Sequence, residues 1–308
     1  MAKRILVAGS ANIDFMLTTP YIPAPGETLL SGGKYAFTPG GKGANAAVAA
    51  RSMGADVIFC TRVGDDAYGD RLIKLFDERG IDTRYIKVDR LEQTGLAVVM
   101  LEKNGTNRII VFGGANGKIS DSDIESAFSA YPDAVLTQFE IRPEAVIAAA
   151  RLANDEGIPL FVDAGSAKAD FPLEKLERVE IFSPNEVETE ILTGIRPDNL
   201  ENCLRASIAL CNRVDIKYVV LKLGERGCYV YDGKYCDLIS PFEVQVCDTT
   251  AAGDVFTAAL TAEYLRTGDI LASARFANAA GALATTKLGA VNSVPTLEEV
   301  KKLLENQN

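Results

Sequence analysis

The sequence predicts an α/β fold: a three-layer, mostly parallel sheet with helices on both faces, accompanied by a small β-sheet lid. Short apolar runs typical of buried strands alternate with amphipathic helical stretches from residue 120 onward. This repetition favours parallel strands joined by crossover helices. Two β-rich pieces, 14–38 and 94–113, interrupt the rhythm, and we expect them to form one discontinuous lid. The core is then expected to comprise 1–13, 39–93 and 114–308.

The elements before residue 120 surround these two pieces. A short apolar run ends at Gly9, which indicates a first buried strand and a turn. Asn104-Gly105 separates two strand-like runs and predicts a hairpin turn. Periodicity predicts strands at 4–8, 28–38, 57–63, 85–88, 94–101 and 108–112, and helices at 46–53 and 68–79.

The elements after residue 120 give the regular alternation. Asp232-Gly233 predicts a second hairpin, and Thr296 with Glu299 forms a capping box that opens the last helix. Strands are predicted at 134–138, 160–163, 180–183, 218–222 and 242–246. Helices are predicted at 120–129, 143–156, 186–192, 199–212 and from 252 onward, with a short one near 173.

Composition excludes several functions. The net charge is −10 with no basic run, which argues against a nucleic-acid partner. The absence of histidine excludes Ser-His-Asp and Cys-His catalysis and His-ligated metals, so acid–base chemistry falls to carboxylates, Lys, Tyr or Cys. The six cysteines lack metal-type spacing, and no apolar run reaches the roughly 20 residues of a membrane span. We expect a cytoplasmic protein without a membrane partner.

The stretch 248–254 is the first candidate functional motif. The small residues Ala251, Ala252 and Gly253 stand between a strand-like run and a long helical run, as in a tight turn that opens a helix. Unpaired N–H groups and the helix dipole favour an anion there. Asp254 falls in the first helical turn and suggests a general base for phosphoryl transfer. The alternative is a simple helix cap.

A glycine-rich turn at 40–45 forms the second motif. It fails the Walker A pattern, although Gly41 to Ala46 fits G-x-G-x-x-A. A dinucleotide fold is only an alternative, because no buried strand precedes the turn and no acidic ribose ligand follows. Combined with Asn12 and Asp14, the turn supplies amide, carboxylate and ammonium groups suited to a polyol. Otherwise Asn12 could be a turn residue and Lys42 a solvated charge.

Seven motifs follow one another along nearly all 308 residues. They are Gly9-Ser-Ala-Asn12-Ile-Asp14, Gly40-Gly-Lys-Gly-Ala-Asn45, Gln138-Phe-Glu140, Pro184-Asn185-Glu-Val-Glu188, Leu223-Gly-Glu-Arg-Gly227, Asp248-Thr-Thr-Ala-Ala-Gly-Asp254 and Gly289-Ala-Val-Asn-Ser293. With these motifs the chain resembles the ribokinase-like (PfkB) carbohydrate kinases. The resemblance implies ATP-dependent phosphorylation of a pentose, with D-ribose to D-ribose 5-phosphate favoured, and with Mg²⁺ and K⁺ as cofactors.

The resemblance also implies a role for each matching residue. Asp254 would be the general base, and the N–H groups of Ala251, Ala252, Gly253 and Asp254 would form an anion hole. The sugar would contact Asn12, Asp14, Gly41, Lys42, Asn45 and Glu140, with Ala97, Val99 and Val111 covering its apolar edge. The nucleotide would contact Asn185, Lys222, Leu223, Gly224, Glu225, Arg226, Gly227, Gly253 and Asn278. Glu188 would serve Mg²⁺, and Asp248, Thr250, Ala284, Lys287, Gly289 and Ser293 would bind K⁺.

The chain departs from the family pattern at two positions. Ala251 stands where the family often has Gly, a change that members of the family tolerate, and Lys222 stands where a Thr is common. Lys222 therefore puts a hydroxyl–phosphate contact in doubt, although its ammonium could replace it. Alternatives are a kinase acting on deoxyribose, a nucleoside or fructose, a non-catalytic sugar-binding relative, and an NAD-linked dehydrogenase. The family resemblance further implies a homodimer paired through the lid strands.

Overall fold

A nine-stranded, mostly parallel sheet forms the centre of the protein. The computed structural model describes residues 2–102 and 107–307, so the predicted turn at Asn104-Gly105 lies outside the described residues. The sheet contains β1 (Arg4–Ala8), β4 (Asp56–Gly64), β5 (Ile86–Asp89), β8 (Ala134–Gln138), β9 (Leu160–Asp163), β10 (Arg178–Ser183), β11 (Asp215–Lys222), β12 (Cys228–Tyr231) and β13 (Cys236–Ile239). Their order is β13-β12-β11-β10-β9-β8-β1-β4-β5. At one edge the pairs β11–β12 and β12–β13 are antiparallel, so β12 runs against the direction that β11 and β13 share.

Helices cover both faces of this sheet. They are α1 (Lys42–Ser52), α2 (Ala67–Glu78), α3 (Asp121–Phe128), α4 (Pro143–Asp155), α5 (Glu186–Thr193), α6 (Leu200–Cys211), α7 (Ala252–Thr267), α8 (Ile270–Ala284) and α9 (Leu297–Asn306). Alternate residues of β1 point into two separate cores, because successive side chains of a strand face opposite sides. Ile5 and Val7 pack with α1, α2, α7, α8 and α9, whereas Leu6 and Ala8 pack with α3, α4, α5 and α6. The predicted three-layer fold class is confirmed.

A second, four-stranded sheet stands apart from the first. It consists of β2 (Asn12–Thr19), β3 (Tyr35–Gly40), β6 (Gly95–Glu102) and β7 (Asn107–Phe112), in the order β3-β2-β6-β7. The central pair β2–β6 is parallel and the outer pairs are antiparallel. Phe15 and Phe37 stack on this sheet, and Phe37 also stacks on Tyr68 of α2. These rings fasten the second sheet to the helical layer.

Two of the predicted strands are wrong in part or in whole. The strand expected over 28–38 begins only at Tyr35, because 28–34 is an exposed irregular segment that starts shortly after Pro25-Gly26. No strand forms at 242–246. Its Glu243 N–H donates to the side chain of Gln307 at 3.2 Å instead of to a neighbouring strand. Apolar composition alone could not reveal that this segment has no strand beside it.

None of the helices in the described ranges has the length and apolar character of a membrane-spanning segment.

Candidate active site

The N-terminus of α7 forms the turn that the sequence singles out. Ala251 adopts a left-handed conformation, with φ 61° and ψ 0°, and no side chain caps the helix. Within the described chain the N–H groups of Ala251, Gly253 and Asp254 have no hydrogen-bond acceptor, whereas that of Ala252 donates to Thr249 O at 3.3 Å. Three unpaired N–H groups at the positive end of a helix dipole make a site for an anion.

Asp254 does not cap its own helix, so the helix-cap alternative is wrong. Its buried carboxylate turns toward α1, where it accepts a hydrogen bond from Asn45 Nδ2 at 2.7 Å and lies 3.5 Å from Lys42 Nζ. Burial raises the pKa of Asp254, and the Lys42 ammonium offsets only part of this effect. A carboxylate with a raised pKa is a better proton acceptor than an exposed one.

The other predicted sugar-side groups surround Asp254. Burial, together with the charges of Glu140 and Asp254, raises the pKa of Asp14 to about 7. Glu140 accepts hydrogen bonds from the Ser10 hydroxyl and from Lys42 N, so it also anchors the start of α1. The turn is tight there, because Gly41 has φ 93°. Three carboxylates and one ammonium therefore share one polar site.

The second sheet covers this polar site from one side. Asp14 pairs with Ala97, and Ala97 pairs with Val111, so the three residues form one row across β2, β6 and β7. Val99 follows two residues after Ala97 on the same face. At the start of the sheet Asn12 Oδ1 accepts a hydrogen bond from Asn116 Nδ2 at 2.7 Å.

A cavity of about 1070 Å³ opens on the other side of the α7 turn. Its lining includes all of Lys222, Leu223, Gly224, Glu225, Arg226, Gly227, Gly253 and Asn278. Arg226 is held at the rim by Glu186 Oε1 at 2.6 Å. The side chain of Asn278 donates to the carbonyls of Ile239 and Ser240 at 3.1 and 3.0 Å, so it fixes a wall of the cavity.

Asn185 and Glu188 form a capping box at the start of α5. Glu188 N donates to Asn185 Oδ1 at 2.8 Å, and Asn185 N donates to Glu188 Oε2 at 2.8 Å. The box leaves Glu188 Oε1 and Asn185 Nδ2 without partners in the part of the chain described. Burial raises the pKa of Glu188, and the positive charge of Lys222 offsets only part of this rise.

The predicted cation ligands lie in two segments that Asp248 ties together. Its Oδ1 accepts hydrogen bonds from Thr250 N and Oγ1, and its Oδ2 accepts one from Gly289 N at 2.9 Å. These donors lower the pKa of Asp248 against the opposing effect of burial. Lys287 Nζ points elsewhere, to Glu299 Oε1 at 2.9 Å. The carbonyls of Thr250, Ala284, Lys287 and Gly289 accept no hydrogen bond from a described residue.

Sequence reasoning missed several polar residues of this region. Asp163 and Thr257 form a buried cluster with Lys222 beneath the α7 turn, and Ser10 and Asn116 hold the loops of the predicted sugar site. Asp163 could have been found, because it ends a buried strand at the carboxyl edge of a parallel sheet, where ligands bind. The others carry no local pattern, and only the fold brings them together.

Comparison with known proteins identifies the family. A profile of pfkB family carbohydrate kinases matches residues 2–297. The chain belongs to this family. The dinucleotide-binding alternative is therefore wrong, and the structure gives the reason: the Gly41 turn follows β3 of the second sheet and not a buried strand of the parallel sheet.

Individual relatives match along almost the whole chain. A ribokinase from Haemophilus influenzae is 35% identical over 308 residues, covering 99% of this chain and 100% of the relative. A deoxyribokinase from Salmonella typhi is 30% identical, covering 97% and 98%. Among solved structures, Arabidopsis thaliana ribokinase complexed with ribose and ATP superimposes with a TM-score of 0.91, at 35% identity and 99% coverage of both chains. This chain is thus a sugar kinase by family, sequence and fold.

Proposed function

We propose that this kinase transfers the γ-phosphoryl group of ATP to the primary hydroxyl of D-ribose and forms D-ribose 5-phosphate. One observation carries the proposal: the α7 turn separates two sites. Gly253 lines the large cavity, while the adjacent Asp254 faces Asn45 and Lys42 in the polar site. A phosphoryl group held at the turn would lie between a nucleotide on one side and a sugar on the other.

The proposed chemistry relies on positioning and electrostatics. Asp254 takes the proton of the sugar's primary hydroxyl, whose oxygen then bonds to the γ-phosphorus. The bond from that phosphorus to the bridging oxygen of ADP breaks. The free N–H groups of the turn would then donate to the transferred group as negative charge develops on it. Such hydrogen bonds stabilise charge most strongly in a site that excludes water.

The sugar would be bound by the polar groups around Asp254. Asn45 Oδ1 is buried without a hydrogen-bond partner, which is rare unless a ligand or water completes it. We expect Asn12, Asp14, Gly41, Lys42, Asn45 and Glu140 to contact the hydroxyls, with Ala97, Val99 and Val111 beside the apolar edge. The second sheet, taken as a discontinuous lid over 14–38 and 94–113, would exclude water from the sugar.

Mg²⁺ would arrive with the nucleotide and neutralise charge on its phosphates. No cage of three His, Cys, Asp or Glu side chains exists within the described ranges. This fits Mg²⁺, which usually keeps several waters and one or two carboxylates. The free Oε1 of Glu188 and the amide of Asn185 would serve the hydrated ion and the phosphates.

K⁺ would bind behind the anion site. The carbonyls of Thr250, Ala284, Lys287 and Gly289 have free lone pairs that could coordinate a monovalent cation. Asp248 and the Ser293 hydroxyl, which itself donates to Ala290 O, would complete the set. A cation there would fix the turn that precedes Ala251. Replacing K⁺ with Na⁺ at constant ionic strength should lower the rate several-fold, and equal rates in both salts would contradict this site.

We also propose a homodimer that pairs through the second sheet. Its edge strand β7 exposes Ile109, Ile110, Val111 and Phe112 by about half each, an unusual apolar patch at a free sheet edge. Sedimentation velocity should give a dimer for the native chain and a monomer for Ile110→Lys.

We propose the cytoplasm as the location of this protein. The free thiols of all six cysteines are compatible with that compartment.

The decisive experiment is a coupled ADP-release assay with D-ribose, 2-deoxyribose, fructose and a nucleoside. We expect the highest kcat/KM for ribose, because a site that pairs the 2-hydroxyl discriminates against a sugar lacking it. Asp254→Asn should lower kcat by about a thousandfold with ribose affinity retained. Asp269→Asn, the same change at the N-cap of α8, is the matched control and should keep full turnover. Near-normal turnover of Asp254→Asn would refute the mechanism.

A further inference from the structure

Three neighbouring strands of the parallel sheet end in a buried polar cluster that the mechanism above does not use. Asp163 ends β9, Ser183 ends β10 and Lys222 ends β11. Thr257, one turn into α7, packs against all three ends. Parallel sheets bind ligands at this edge, so the position itself favours a functional role.

The cluster is built around one ammonium. Lys222 Nζ lies 2.6 Å from Asp163 Oδ2 and 3.3 Å from Thr257 Oγ1, and the Thr257 hydroxyl donates to the same carboxylate. The other carboxylate oxygen, Oδ1, accepts the N–H of Gly165 at 2.8 Å. Burial alone would raise the pKa of Asp163, but the charges of Lys222 and Lys42 outweigh burial and lower it.

One donor of this ammonium has no partner among the described residues, and Lys222 lines the nucleotide cavity. A lysine has three N–H donors, and Asp163 and Thr257 occupy two of them. Lys222 lines the cavity, and its Nζ lies only 3.5 Å from the point where a Cβ on Gly253 would stand. The ammonium therefore lies close to Gly253 in the α7 turn.

We propose that Asp163 is a positioning residue that, with Thr257, holds the Lys222 ammonium in place as a ligand for the terminal phosphates of ATP. This inference rests on the proposed function and adds to it a fixed positive charge beside the anion turn. A buried ammonium with two of its donors anchored loses little freedom when a phosphate arrives. Charge-assisted hydrogen bonds to phosphate are also stronger than those from a neutral hydroxyl.

A purely structural ion pair is the competing explanation, and paired variants separate the two. Lys222→Met leaves the Asp163 carboxylate buried without its cation, so its melting temperature should fall by about 10 °C. Adding Asp163→Asn removes the unpaired charge and should restore most of the stability. If the ammonium serves ATP, this double variant stays defective: kcat/KM for ATP falls about a hundredfold, with ribose affinity unchanged.

Nucleotide binding gives a readout that does not require turnover. By isothermal titration, the double variant should bind the non-hydrolysable analogue AMP-PNP at least tenfold more weakly than the native chain, and AMP within about twofold. Lys217→Met is the matched control, since Lys217 on β11 pairs with Glu180 on β10 at 2.6 Å, at the far end of the same strands. It should change neither affinity.

Asp163→Asn alone tests the positioning role, because it keeps the shape of the side chain and leaves Lys222 intact. Its KM for ATP should rise several-fold with the KM for ribose unchanged. A double variant with native stability and a native ratio of AMP-PNP to AMP affinity would overturn the proposal. If the native chain phosphorylates no sugar, yet its AMP-PNP affinity still depends on Lys222, the proposed function fails and the phosphate role of Lys222 stands.

Discussion

Asp14→Asn should make the ligand-free protein more stable while it impairs sugar binding. The carboxylate of Asp14 accepts no hydrogen bond from the described residues, and burial with the nearby charges of Glu140 and Asp254 raises its pKa to about 7. The folded state thus binds a proton that the unfolded state, with the ordinary pKa of 3.8, has already released.

The sign and size of the effect follow from this difference. Between pH 4 and pH 7 the folded chain holds more protons than the unfolded chain, so stability falls as the pH rises through this window. The difference between 3.8 and about 7 corresponds to roughly 4 kcal/mol once Asp14 is fully ionised, and to about 2 kcal/mol at pH 5. Asp14→Asn removes this cost, which should raise the melting temperature by about 10 °C at pH 8 and by a few degrees at pH 5.

Differential scanning calorimetry at the two pH values, with and without D-ribose, measures this prediction. Ribose should stabilise the native chain and leave the variant nearly unchanged. Asp66→Asn serves as a control of opposite sign. Burial opposes ionisation of Asp66, but hydrogen bonds from Thr94, Gly69 and Tyr68 lower its pKa, so losing its charge should destabilise the chain at pH 8. A variant at Asp14 that is less stable than native, or equally shifted at both pH values, would refute the reasoning.

The remaining predictions concern backbone geometry. Gly43→Ala should lower the free energy of unfolding by about 3 kcal/mol in urea titrations, because its Cβ would lie 2.5 Å from the carbonyl carbon of Gly9. Gly117→Ala, with nothing within 4 Å, should stay within about 0.5 kcal/mol, and equal losses for both glycines would contradict this explanation. Ala251→Gly should gain about 0.5 kcal/mol and keep turnover within twofold, because Ala251 is left-handed. Ala251→Val should lose both stability and turnover, and a fully active Val variant would show that the turn tolerates strain.

Much of the fold could be predicted because its signals are local. The alternation after residue 120 predicts the parallel sheet, and turn residues such as Asp232-Gly233 mark a hairpin that the structure contains between β12 and β13. The strand predicted over 242–246 is absent for a reason that is not local in sequence. A strand needs a partner, and sequence alone does not show that the chain here runs along the cavity rim.

The residues of the candidate site also fall into two groups: those that a local sequence pattern predicts and those that only the fold brings together. The turn at Ala251 to Asp254 follows from small residues beside a helical run, so local pattern predicts it. Asp254 contacts Asn45, which is 209 positions away, and Asp163 contacts Lys222, which is 59 positions away. No spacing rule connects such residues. Residue chemistry suggested a polyol site at Asn12, Asp14 and the Gly41 turn, and only the family resemblance added Glu140 and the residues of the second sheet.

The register of the second sheet determines how far each part of the site would travel if that sheet rotated. The chain passes between the two sheets beside Asn12, Gly40, Gly95 and Phe112, which all lie at one end of β2, β3, β6 and β7. Any rotation therefore pivots at this end. Asp14 lies only about 7 Å from the pivot and Thr19 about 23 Å, at roughly 3.3 Å per residue. A rotation of about 15° would move Thr19 by some 6 Å but Asp14 by less than about 2 Å. Such a rotation would displace the far end of the second sheet widely, while the Asp14 carboxylate, which we expect to contact the sugar, would stay almost in place.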